Sequence, residues 1–259
     1  MRYFVKAKRI EIVDERYYQV GEDKDGHPVY YPSVTRILNE AYVKGQVFEQ
    51  WLKDVGQNAS IVSQRAAEAG SVVHNAIERL LRGEELSFDS FVEGDFKYRE
   101  NRFYIEEWLA ILKFLDFYDE YKPETVGVEE IVFNKKEKYA GTLDYRCNIE
   151  GEKWLIDFKY GNEIYPSYWL QVAAYAKCFE PGTIDRLGIL HLKARTRGRD
   201  RQKKIMQGEG WRLTPAPMSI DNLYEAFLHV KRQYDFKLKI GELTEKPKIK
   251  SITNKIKLQ

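Results

Sequence analysis

The sequence lacks the features that would place it in several large classes. It has only two cysteines, Cys147 and Cys178, which give neither a disulfide framework nor a four-cysteine metal or cluster site. A reducing cytosol is the compartment that fits. No run of 18 apolar residues occurs, so no transmembrane helix is expected. The opening stretch, MRYFVKAKRIEIVDERYY, lacks the unbroken apolar segment of a signal peptide. Neither sign of charge dominates: 42 Lys and Arg against 40 Asp and Glu leave a net charge of +2, so any nucleic-acid partner must be argued from where the charge sits. There are no internal repeats, and no motif supports an ATPase or helicase activity.

What remains is an ordinary globular balance, 43% hydrophobic and 32% charged, over 259 residues. That length suits one large domain with appendages and a sizeable core. Tyrosine is abundant, with 18 residues. Its ring and hydroxyl suit a nucleic-acid or peptide surface, and equally a core or a half-buried strand.

Residues 9–20 and 28–31 read as a β-hairpin around the polar turn GEDKDGH. Pro32 ends the strand and Ser33 is placed to cap the helix of YPSVTRILNEAY. Helical periodicity continues through FEQWLKDVG and over 57–82, where Gly83 closes the helix, and again over 100–121 before Pro123. Strand-like text follows in TVGVEEIVF, AGTLDYRCNI and KWLIDFKYG. Then come a helix in SYWLQVAAYAKCF, strands in RLGILHLKA and GWRLTPAP, and a helix over 219–237. The order predicts a mixed α+β fold within the α/β class. The expected divisions are an N-terminal β-hairpin (1–32), a helical region (33–122), a mixed core with a central sheet (123–236) and a basic, partly disordered tail (237–259).

The chemistry concentrates in AGTLDYRCNIEGEKWLIDFKYG. Alternation along a strand puts Asp157 and Lys159 on one face, opposite Trp154, Ile156 and Phe158. A turn near EGE folds this strand back on 141–149, so Asp144, 13 residues before Asp157, reaches the same face. Two carboxylates held together repel, and burial adds a desolvation cost. A hard divalent cation such as Mg²⁺ removes both penalties, because carboxylate oxygens are its preferred ligands. A lysine beside it can orient water or offset charge on a phosphoryl group. An ion-pair cluster at a sheet edge explains the same residues without a metal.

GTLDY, LIDFKYG and YWLQVAAYA together resemble the PD-(D/E)xK nucleases of the RecB-like branch. The matching positions are Gly141 and Asp144, then Asp157 and Lys159, then Gln171 and Tyr175, three ordered elements within 35 residues. YPSVTRIL and the histidine helix AGSVVHNAIERLL extend the likeness to the mitochondrial genome maintenance exonuclease group and its phage and bacterial relatives, over roughly residues 30–180. The resemblance implies a restriction-endonuclease-like core, with a central mixed sheet flanked by helices, and one or two Mg²⁺ or Mn²⁺ ions. It implies His74, Asp144, Asp157 and the backbone carbonyl of Phe158 as metal ligands, with Lys159 catalytic. On its own, a histidine flanking the Val73, Ile77, Leu80 and Leu81 stripe is more often a satisfied boundary residue. Glu129 corresponds to an entry-strand glutamate near the site, while its neighbour Glu130 points to the other face; a solvent-facing acidic pair is the plain alternative. Members of this branch with an iron–sulfur cluster carry four cysteines, so no cluster is expected here.

The same resemblance implies DNA as partner, with single-stranded or free ends, a cytoplasmic setting in a bacterial or phage-infected cell, and any helicase or recombination partner as a separate protein. Gln171, Tyr175, Ser71 and Tyr168 are the expected contacts from the motif helices, with helix packing as the alternative for the first two. Tyr160, Tyr165 and Trp169 surround the exit of the Asp157 strand, where bases stack without sequence preference. In HLKARTRGRDRQKK, Lys193, Arg195, Arg197, Arg199 and Arg201 alternate along a stretch that, if extended, tracks a phosphate backbone. Gly198 can break that strand into a basic loop. The expected activity is exonucleolytic hydrolysis of single-stranded DNA ends in replication, recombination or repair. An endonuclease on the same core and a non-catalytic nucleic-acid-binding module are the alternatives.

Overall fold

A computed structural model describes residues 8–12, 15–43, 45–161, 163–192, 195–197, 204–206 and 210–243. The chain opens with three antiparallel strands, β1 (Lys8–Ile12), β2 (Glu15–Glu22) and β3 (Pro28–Pro32). The expected hairpin is therefore a three-stranded sheet. The run over 9–20 folds back on itself, with Ile12 opposite Glu15. Asp23 shapes the β2–β3 turn by accepting the backbone N–H groups of Asp25 and His27 on one carboxylate oxygen.

Ser33 caps α1 (Val34–Ala41), its hydroxyl accepting the Arg36 N–H at 2.9 Å. After α2 (Gln46–Val55) and a 3₁₀ turn at Gly56–Asn58 comes the long α3 (Ala59–Leu81), closed by Gly83 at φ +83°. Helix α4 (Ile105–Tyr121) starts five residues later than its periodicity suggests. The cause is local: Glu107 reaches back to the Tyr104 N–H, fixing the helix start there.

The central sheet has five strands in the order β10–β7–β6–β5–β4. They are β4 (Glu124–Asn134), β5 (Tyr139–Ile149), β6 (Glu152–Lys159), β7 (Arg186–His191) and β10 (Arg212–Pro215). Strands β4, β5 and β6 form an antiparallel meander. Strand β7 runs parallel to β6, reached through the crossover helix α5 (Pro166–Ala176), and β10 returns antiparallel. Between β7 and β10 sits a two-stranded ribbon, β8 (Arg195–Arg197) with β9 (Lys204–Met206). The last helix is α6 (Ile220–Lys239), capped by Ser219.

Helices cover both faces of the sheet. Helices α1, α5 and α6 pack on Leu143, Leu155, Leu187 and Ile189. Helices α3 and α4 pack on Tyr145, Ile156, Phe158 and Leu190. This mixed α+β architecture agrees with the fold class expected from the sequence. No helix among the described residues is long and apolar enough to cross a membrane.

Candidate active site

The two layers meet where strand alternation fails. Residues two apart on a strand share a face, yet Leu143 packs under α5 while Tyr145 packs under α3 and α4. On the neighbouring strand, Val132 joins the first layer and Val128 the second. The break lies between them in each case, at Asp144 on β5 and at Glu129 on β4. These two residues stand opposite each other in the ladder, between the pairs Val128–Tyr145 and Glu130–Leu143. Glu129 has φ +51°, the left-handed region, which a side chain with a Cβ adopts at a cost of roughly 1–3 kcal/mol.

The consequence is a gap in the hydrogen-bond ladder between β5 and β6. Pairing of β5 with β6 stops at Tyr145–Ile156. One residue further, the Asp144 carboxylate takes over as acceptor, with Oδ2 receiving the Phe158 N–H at 2.7 Å. The side chain thus replaces a ladder carbonyl and is held rigidly. From above, α3 supplies His74. Its Nδ1 is 3.4 Å from Asp144 Oδ2, and its ring meets Phe158 edge-on at 5.9 Å. One ligand atom from each of His74, Glu129 and Asp144 falls within a 4.8 Å set.

Asp157 stands outside that set. The expected third ligand is therefore replaced in this grouping by Glu129, and Asp157 faces Lys159 instead. Lys159 Nζ lies 2.6 Å from Asp157 Oδ2, and 4.5 Å above the Tyr168 ring. Asp157 is 1% exposed, and this ammonium is the cation that offsets its buried charge.

The electrostatics separate the carboxylates. Burial raises the Asp157 carboxyl to about 6, with Lys159 opposing and Asp144 adding to the rise. Burial also raises Glu129, which with the Asp144 charge reaches about 7. Asp144 moves the other way. Burial works against its ionisation but is outweighed by His74, Lys159 and the Phe158 N–H. His74 is raised: burial disfavours its charged form, and Asp144 more than restores it. Lys159 is likewise raised against its own burial by Asp157 and Asp144.

The remaining predicted residues divide. Glu130 turns away from the cluster and binds Arg146 Nη2 at 2.8 Å, as its place beside Glu129 suggests. Tyr175 is 2% exposed, which favours the packing alternative for this residue. Its ring fills the space over Gly141, where an added Cβ would lie 2.3 Å from Cε1. This close approach explains the Gly141 and Tyr175 positions without a ligand. Gln171 donates to the Tyr175 hydroxyl at 3.1 Å, and the exposed Ser71 hydroxyl donates to the Ala67 carbonyl at 3.0 Å. Trp169 is buried. The backbone carbonyl of Phe158, the fourth expected ligand, belongs to the residue whose N–H holds Asp144.

Arg195 and Arg197 lie on β8, in the connection that leaves β7 next to the Lys159–His191 pair. Lys193, Arg199 and Arg201 fall outside the described residues, as does most of the expected tail.

Sequence reasoning missed Tyr18. Its hydroxyl bonds Thr142 Oγ1 at 2.9 Å, tying the N-terminal sheet to β5 two residues from Asp144. No local pattern signals a contact across 124 residues. No protein family and no curated protein matches the chain.

Proposed function

We propose that the protein is a metal-dependent nuclease of the PD-(D/E)xK type that hydrolyses DNA phosphodiester bonds. One observation carries this reading: at a shared break in β4 and β5, three potential ligands converge near the buried ion pair of Asp157 with Lys159.

The donor set fits a hard divalent cation, since it offers carboxylate oxygens and one imidazole. His74, Glu129 and Asp144 would hold Mg²⁺ or Mn²⁺, with Asp157 and Lys159 beside them. When bound, the ion supplies Lewis-acid stabilisation of charge on the phosphate oxygens and lowers the pKa of water. Phe158 N–H keeps Asp144 ionised and fixed. Tyr168 and Asp157 hold the Lys159 ammonium where it orients the attacking water. The water oxygen bonds to phosphorus, the bond from phosphorus to the 3′ oxygen breaks, and the products are a 5′-phosphate and a 3′-hydroxyl.

The preferred substrate is a single-stranded DNA end, handled in the cytoplasm of a bacterial or phage-infected cell. The test uses end-labelled linear and circular single strands with Mn²⁺, Mg²⁺ or EDTA. Metal-dependent loss of the linear strand alone, abolished by Lys159→Ala and Asp157→Ala, is the expected result. Cutting of the circle changes the mode to endonucleolytic. Binding without cleavage under either metal refutes hydrolysis and leaves a nucleic-acid-binding module.

A further inference from the structure

A second cavity, of about 430 Å³, opens on the other side of α3, between that helix and the segment leading into α4. Its floor is a prearranged polar network. Glu68, 5% exposed, accepts the backbone N–H groups of Lys97 and Tyr98. Glu107, also buried, holds the Arg99 guanidinium by paired hydrogen bonds. Both carboxylates are therefore spent on the protein itself. Tyr98 and Tyr104 form the aromatic wall, with Arg99 stacked 4.6 Å from the Tyr104 ring.

Arg65 lines the cavity, and Lys97 stands beside its Tyr98 wall. Arg65 lies 5.9 Å and Lys97 5.2 Å from the centroid of the Tyr98 ring. Both are exposed, and among the described residues neither has a carboxylate partner. The cavity thus has an aromatic surface flanked by two cations without a carboxylate ion pair among the described residues, over carboxylates whose hydrogen bonds are already made. That combination suits a ligand with a flat ring and a phosphate.

Position strengthens the argument. Glu68 and Arg65 precede His74 by six and nine residues on one continuous helix, about 9–14 Å along its axis. At about 100° per residue they face away from His74, with Gln64, Ala67 and Ser71 on the side between. A strand leaving the candidate active site therefore crosses α3 over short or exposed side chains before it reaches the cavity.

We propose that this cavity is a second nucleotide subsite, which takes one phosphate between Arg65 and Lys97 and stacks the attached base on the tyrosine wall. The inference rests on the proposed nuclease reading for its choice of ligand, a unit of the DNA strand; a free mononucleotide has the same chemistry.

The test is equilibrium binding to the full chain carrying Lys159→Ala, with oligothymidylates and separately with dTMP. The variants are Arg65→Glu/Lys97→Glu and Tyr98→Leu, with Lys135→Glu/Lys136→Glu as a charge-matched control on exposed residues of the β4–β5 turn. Melting temperatures verify folding. Loss of the cavity cations should weaken strand binding at least about tenfold more than the control and reduce its salt slope by about 0.7, the value for one single-strand phosphate. Tyr98→Leu should cost about fivefold to a hundredfold. Binding of dTMP that the cavity variants abolish and the control keeps also supports the subsite, and assigns it to free nucleotides. Equal losses in cavity and control pairs, or no loss, overturn the proposal. Cleavage of the same oligothymidylate by wild-type protein with Mn²⁺ is measured in parallel. Cleavage without a cavity effect overturns only the subsite, whereas a cavity effect without cleavage overturns only the hydrolysis.

Discussion

Glu129 should destabilise the metal-free protein at alkaline pH, and Glu129→Gln should relieve it. Burial and the Asp144 charge raise this carboxyl from an ordinary 4.5 to about 7. A group whose folded value is raised holds its proton more tightly in the folded chain. Its stabilising contribution is complete below about 4.5 and is lost as pH rises through about 7. The full rise corresponds to about 3 kcal/mol, at about 1.4 kcal/mol per tenfold. Glutamine keeps the shape and the φ of +51°, so that strain cancels in the comparison, and it carries no charge. In EDTA at about pH 8 the variant should therefore be more stable than wild type by about 2–3 kcal/mol, or roughly 4–12 °C in melting temperature for a chain of this size. At about pH 5 the difference should shrink below about 1 kcal/mol. Manganese should reverse the order at high pH, because only the carboxylate is a ligand. Differential scanning calorimetry at the two pH values, with and without Mn²⁺, reads all of this. A variant no more stable than wild type at pH 8, or one with the same gain at both pH values, would refute the claim that an ionised Glu129 is buried against Asp144.

The other predictions concern the same cluster. Asp144→Asn keeps an acceptor for the Phe158 N–H but removes the charge; it should abolish the thermal shift with Mn²⁺ while the metal-free melting temperature changes by less than about 5 °C. A retained shift would exclude Asp144 as a ligand. Gly141→Ala forces a Cβ against the buried Tyr175 ring and should cost about 1–3 kcal/mol in chemical denaturation. Gly141→Ala combined with Tyr175→Leu should recover part of that loss, and a double variant less stable than both singles would contradict the contact. Lys159→Ala should lower the rate constant for cleavage by about 10²–10³-fold while Mn²⁺ still raises the melting temperature. Loss of the metal shift instead would make Lys159 structural.

Much of this arrangement was legible because it depends on near neighbours. The spacing of Asp157 and Lys159 fixes a shared face on any strand. The turn at Glu150 and Gly151 fixes the β5–β6 register that brings Asp144 close. Ser33 and Gly83 mark helix ends through hydrogen bonds that span three or four residues. What escaped the sequence depends on departures from regular geometry or on distant contacts. Strict alternation cannot anticipate the φ of +51° at Glu129, which breaks the face pattern on β4; the likeness to an entry-strand glutamate, not the alternation, placed this residue near the cluster. Nor does a tyrosine two turns from the active strand announce whether it lies outside or over Gly141; only the packed helix decides that Tyr175 is buried. The late start of α4 belongs with these, since the apolar period extends to residue 100 but the capping glutamate does not.

The two irregularities and the charged cluster have one physical origin. A regular sheet would satisfy every backbone group of β4, β5 and β6 and leave no room for a buried carboxylate. Here the β5–β6 ladder ends at Tyr145–Ile156, before the end of β6 at Lys159, and the Phe158 N–H is satisfied by Asp144 itself. The side chain thus replaces a backbone acceptor with an ionised one, the stronger kind. The left-handed turn at Glu129 then points a second carboxylate at the first, which raises its proton affinity without providing it a partner. Folding alone gains nothing from that step. Replacing Glu129 by a neutral residue should stabilise the metal-free chain at high pH. A raised Glu129 without a partner among the described residues does nothing to brace the sheet, and it is what the proposed cation site calls for.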